Sequence, residues 1–86
     1  MMNFKQKELV ERLFNAVKEK FPEIEFIKVT DGYEDPADLW VNVTAPEDDD
    51  REDELIKFAS DITTDLLLDY GYYISIMPRK YADGLV

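Results

Sequence analysis

Residues 38–45, DLWVNVTA, alternate apolar and polar side chains with a period of two. Leu39, Val41 and Val43 share one face, and Trp40, Asn42 and Thr44 share the other. Successive side chains of a strand point to opposite faces, so this pattern demands a strand with one face against an apolar layer. Asn42 is expected to point outward and to tolerate truncation. A single strand cannot satisfy its own backbone, so the rest of the chain has to supply neighbouring strands and the covering layer.

The covering layer is legible on both sides of that strand. Leu9, Val10, Leu13, Phe14, Val17 and Phe21 recur at three- and four-residue steps, with Glu8, Glu11, Arg12, Lys18 and Lys20 on the other face. This predicts an amphipathic helix of roughly 17 residues. Asn3 and Gln6 have capping-box spacing at its start, and Pro22 stops it. A second helix of about 20 residues is expected after Pro46. Its buried stripe is read as Leu55, Ile56, Ala59, Ile62, Thr63, Leu66, Leu67 and Tyr70, with Gly71 closing it.

Two further strands complete the sheet. EIEFIKVT, residues 23–30, is short and β-branched, but Phe26 and Ile27 break its alternation. Either both faces are covered or a bulge shifts the phase. YYISIM, residues 72–77, places Ile74 and Ile76 on one face and Tyr73, Ser75 and Met77 on the other, and Pro78 is expected to end it. The fold expected is α+β in the order α-β-β-α-β, one three-stranded mixed sheet with two helices packed on one face. The sheet order 1-2-3 is favoured over 2-1-3, with strands one and two antiparallel and strands two and three parallel across the helical crossover. Residues 1–78 form a single domain, and residues 79–86 a C-terminal tail.

Composition removes several kinds of chemistry. The 86 residues contain no cysteine and no histidine. Disulfides, thiolate nucleophiles, Ser-His-Asp triads and zinc sites are therefore outside the reach of this chain alone. No apolar run approaches the ~18 residues that cross a bilayer, and charges interrupt the first apolar residues too often for a signal peptide. A cytoplasmic protein with no membrane partner is expected.

Charge is the remaining signal. Residues 1–30 hold five acids and six bases, whereas residues 31–69 hold fourteen acids and two bases. Such a segment repels nucleic acid and attracts basic surfaces or divalent cations. Its densest part is Glu47 to Glu54, seven carboxylates in eight positions around Arg51. Carboxylates there suit a helix start, where they accept from free N–H groups and complement the helix dipole. Calcium loops alternate their ligands and need a glycine for the turn, and this run has neither. A second cluster, Asp31, Glu34, Asp35 and Asp38, surrounds Pro36. DPADLWVNV resembles the acidic strand entry of minimal nucleotidyltransferases, and that resemblance implies a divalent metal held by Asp35 and Asp38 for phosphoryl or nucleotidyl transfer. The Gly-Ser element, the second acidic strand pattern and the glycine-rich phosphate loop of such enzymes are absent. The element order also resembles type II KH domains, in topology alone, because the Gly-x-x-Gly loop and basic face are missing.

Two surfaces remain as interaction candidates. The sheet face of Trp40, Tyr73 and Met77 has no covering helix in this arrangement, and Trp, Tyr and Met are enriched at interfaces. It is read as a surface for a partner or for a homodimer, unless Tyr81 and Leu85 of the tail fold over it. On the second helix, Glu54, Asp61, Asp65 and Leu68 fall on one solvent-side strip. The leading expectation is a non-enzymatic interaction or regulatory module that recognises a basic protein surface, with no cofactor and no metal. The alternatives are the metal-dependent transferase and an acidic mimic of a nucleic-acid backbone.

Overall fold

The computed structural model describes residues 2–32 and 38–80. Its elements are α1 (Phe4–Lys20), β1 (Phe26–Asp31), β2 (Leu39–Thr44), α2 (Asp49–Tyr70) and β3 (Ile74–Arg79). The strands form one mixed sheet in the order β1-β2-β3, with β1 antiparallel and β3 parallel to β2. The α+β architecture and the strand order agree with the sequence pattern.

The start of α1 is a reciprocal cap. The Asn3 side chain accepts from the Gln6 N–H at 2.8 Å, and Gln6 Oε1 accepts from the Asn3 N–H at 3.0 Å. Two backbone donors that lack intrahelical partners are thereby satisfied. At the other end Lys18 Nζ donates to the carbonyls of Pro22 (2.9 Å) and Ile24, and pairs with Glu25 at 2.8 Å. The lysine thus ties the exit loop back onto the helix.

The broken alternation of β1 is a bulge. The register with β2 slips between Phe26 and Lys28, so Phe26 pairs with Val43 while Val29 pairs with Val41. Directly paired residues share a face. Phe26 and Val29 therefore both lie on the helix side, where Phe26 meets Phe14 edge-on with ring centroids 5.7 Å apart. The extra residue sits on the outer face between them.

The core is a single cluster. It joins Leu9, Val10, Leu13 and Val17 of α1 and Leu55, Ala59 and Leu66 of α2 to Leu39, Val41, Val43, Ile74 and Ile76 of the sheet. Thr63 is buried among them, and its hydroxyl donates to the Ile74 carbonyl at 2.8 Å. The apolar stripe of α2 is narrower than the sequence suggests. Ile56 and Leu67 are each 42% exposed, and Tyr70 is also exposed. Ile56 turns toward the β3 edge, while Phe58, absent from the expected stripe, turns toward α1 and meets Phe21 at 6.0 Å.

Two strand details differ from expectation. β3 begins at Ile74 and continues through Pro78 to Arg79. The carbonyls of Tyr73 and Arg79 accept from the N–H groups of Leu39 and Ala45, so odd-numbered residues of β3 face β2. The nitrogen of Pro78 then faces the free edge, where a missing donor costs nothing. Asn42, on the outer face, is 1% exposed. Its Nδ2 lies 3.1 Å from the Lys28 carbonyl, 3.1 Å from Thr30 Oγ1 and 3.2 Å from the Trp40 carbonyl, and its Oδ1 accepts from Arg79 Nε at 2.8 Å. Burial by three strands with every polar atom engaged makes it a junction of the sheet.

Leu39→Ala is expected to destabilise by roughly 2–4 kcal/mol because it leaves a cavity at the helix–sheet contact. Asn42→Ala is expected to cost about 1–3 kcal/mol, because it strands buried partners on both neighbouring strands. Ser75→Ala, on the same outer face, is the control. Urea unfolding of the three variants checks this, and an Asn42→Ala variant no less stable than wild type would show that the junction contributes nothing.

Candidate functional site

The acidic run at residues 47–54 is the entry of α2. Asp48 is the N-cap, its carboxylate accepting from the Asp50 N–H at 3.0 Å, and Asp49, Asp50 and Glu52 occupy the first turn. Two cations organise the run. Lys80 Nζ lies 2.7 Å from Asp49 Oδ1 and 3.0 Å from Glu52 Oε1, joining the end of β3 to the start of α2. Arg51 pairs with Glu23 at 2.7 Å, donates to the Lys20 carbonyl at 3.1 Å and lies 4.3 Å over the Phe21 ring. A contact to Glu54 at 3.9 Å completes its set.

These contacts shift the titrating groups in the expected directions. The hydrogen bond from Lys80 holds Asp49 below the usual carboxylate range, and the bond from Arg51 does the same to Glu23. Lys80 is raised by its bonds to Asp49 and Glu52. A cleft of about 530 Å³ lies beside them, lined by Glu23, Ala45, Pro46, Glu47, Asp48 and Arg51. Among the described residues no three carboxylates converge as a metal-ligand group. The run caps the helix and clamps α2 to the ends of α1 and β3.

Two members of the second acidic cluster, Asp31 and Asp38, are among the described residues. Asp31 ends β1 and is exposed, Asp38 precedes β2, and the Gly32 N–H donates to the Asp38 carbonyl at 2.8 Å. Glu34 and Asp35, the other weak metal candidates, lie outside the described residues.

The α2 strip is intact as a surface. Glu54, Asp61, Asp65 and Leu68 are all exposed, Leu68 by 77%. Asp61, Asp65 and Asp69 repeat at intervals of four and form no ion pair among the described residues, and no basic residue occupies the last turn. Like charges at that spacing repel, and acids near a helix C-terminus oppose its dipole. Lys57 stands four residues before Asp61, and Lys5 and Arg12 of α1 lie over the Tyr70 ring at the last turn, but among the described residues none of these cations pairs with the three acids, so part of the electrostatic cost remains.

The sheet face is less open. Trp40 and Met77 are half-buried, and Asn42 and Arg79 link the strands between them. Tyr73 precedes β3 and lines a separate groove with Ile56, Ser60, Thr63, Thr64 and Ser75 at the sheet edge. Tyr81 and Leu85 lie outside the described residues. No protein-family model, curated protein or solved structure matches the chain.

Sequence reasoning passed over the Lys80 clamp and the Asn42–Arg79 pair. The available signal was the two consecutive cations, Arg79 and Lys80, directly after an apolar strand in a chain with a net charge of −10. Among the described residues no helix is long and apolar enough to cross a membrane.

Two outcomes are expected in solution. A group with a depressed folded pKa contributes stability above its unfolded pKa, and that contribution is lost as pH falls through the folded value. Lys80→Met should therefore lower the melting temperature at pH 7, and its deficit relative to wild type should close as pH falls from about 4, the unfolded carboxylate value, through the lower folded value of Asp49. An equal deficit at pH 2 and pH 7 would show that Lys80 acts through packing alone. Separately, the excess of acids over bases in residues 31–69 predicts that the wild-type melting temperature rises between ~10 mM and ~0.3 M sodium chloride, as the screening length falls below about 10 Å. A flat or falling trend would mean that the internal ion pairs outweigh the repulsion.

Proposed function

We propose that this protein is a non-enzymatic interaction module whose α2 strip recognises a basic, partly apolar surface on another protein, in keeping with a cytoplasmic setting. The observation that carries the reading is the ladder Asp61, Asp65 and Asp69, which forms no ion pair among the described residues, with Leu68 exposed beside it. A cationic partner would relieve the repulsion within the ladder, and Leu68 would add apolar burial at its centre. Complementary charge of this kind acts mainly on association rate and fades with salt. The acids at the start of α2 are a weaker contributor, because Asp48, Asp49 and Glu52 already have partners within the chain.

The test is titration with an amphipathic helical peptide of alternating lysine and leucine faces, followed by amide NMR at low and high salt. Saturable shifts confined to Glu54, Asp61, Asp65, Leu68 and Asp69, lost in Asp61→Lys/Asp65→Lys and weakened by salt, support the proposal. Diffuse shifts that survive the double substitution overturn it. A parallel titration with magnesium separates the transferase alternative, which requires local saturable shifts at residues 31–38. Competition by the protein against DNA for a nucleic-acid-binding protein would favour the acidic mimic instead.

A further inference from the structure

The opposite edge of the molecule carries a second surface, independent of α2. Between α1 and β1 lies a groove of about 260 Å³ with Val10, Phe14, Phe26 and Val29 as its apolar walls and Lys7 and Glu11 among its polar lining. β1 and β3 are the two edges of the sheet, and α2 packs against β3. The groove therefore opens at the sheet edge opposite the one that α2 covers. Phe4, in the first turn of α1, is 83% exposed, and Phe26 is 49% exposed. Lys7 and Glu11 form no ion pair among the described residues, although they stand four apart on one helix.

These features have the symmetry of a two-fold interface. Such an interface requires that wherever residue i meets residue j of the second copy, j also meets i. When two copies of α1 lie antiparallel about an axis at the height of position 9, Lys7 stands opposite Glu11 and Phe4 opposite Phe14, each in both directions. The same register thus matches opposite charges and carries the most exposed aromatic of each copy to an aromatic groove of the other. The part of the chain that contributes, residues 1–30, holds five acids and six bases, so two copies of a protein with net charge −10 approach through the region with least repulsion.

We propose that the groove between α1 and β1 is a homodimer interface: α1 packs antiparallel on α1 of a second copy, Phe4 of each copy enters the groove of the other, and Lys7 faces Glu11 across the two-fold axis. The dimer leaves both α2 strips exposed, so it presents two acidic surfaces to partners.

The test is sedimentation velocity over a wide range of protein concentration, with circular dichroism to verify the fold of each variant. Wild type is expected to show a reversible monomer–dimer equilibrium. Phe4→Ala should weaken it by roughly tenfold or more, as for truncation of an aromatic anchor. Lys7→Glu and Glu11→Lys should each weaken self-association, the double variant Lys7→Glu/Glu11→Lys should restore it, and the two single variants should form a mixed dimer when combined. A monomer at all concentrations overturns the proposal. So does a dimer indifferent to Phe4→Ala, a double variant that stays dissociated, or a dimer broken by Trp40→Ala alone, which would place the interface on the sheet face.

Discussion

The burial of Leu39, Val41 and Val43 is the contact on which the rest of this small fold depends. β2 is the central strand, so both hydrogen-bonded ladders run through it and both helices meet the face it shares with Ile74 and Ile76. The three side chains are almost wholly withdrawn from water. At roughly 1.5–3 kcal/mol for each fully buried aliphatic side chain, their contribution is large against the few kcal/mol of net stability of a domain this size. The opposite face of the same strand adds a polar junction at Asn42, which binds all three strands through one amide. The sheet is thus fixed from one side by apolar burial and from the other by hydrogen bonding.

Electrostatics is divided along the same architecture. α1 and β1 hold a near balance of signs, with Lys5, Glu8 and Arg12 paired along one helix face. α2 and the segments before it hold the excess of acid. The structure uses part of that excess internally, at the Asp48 cap and around Lys80 and Arg51, and leaves part of it in solvent at Asp61, Asp65 and Asp69. Acids with partners and acids without them occur on one helix, toward its opposite ends. The difference matters for function, because a carboxylate already bound to Lys80 has less to offer a cationic partner than one repelled by its neighbours. The proposed binding strip and the proposed dimer groove lie at opposite edges of the sheet, which keeps association of two copies compatible with binding at α2.

Much of this was legible in the residues, and the exceptions have identifiable causes. Helix α1 follows from its three-and-four spacing and its Asn3–Gln6 box, and Gly71 closes α2 with a φ of 77°, the left-handed backbone that glycine accepts. Phe26 beside Ile27 signalled a bulge without locating it, because the register of β1 is set by Val41 and Val43, which lie elsewhere in the chain. Ile56 and Leu67 read as core from spacing, yet the sheet is only three strands wide, and residues on the flank of α2 pass its edge.

The sequence by itself determined the identity and order of the elements, the apolar face of β2 and the uneven charge. These are local properties, carried by period, caps and turn residues. Only the tertiary structure decided that Asn42 is buried, that Pro78 lies within a strand, that Lys80 clamps Asp49 and Glu52, and that Phe4, Lys7 and Glu11 stand beside an open groove. Each of these depends on which segments become neighbours. A polar residue at a strand position has the same pattern whether the next strand brings water or an arginine, and an exposed helix face has the same spacing whether a groove lies beside it or not.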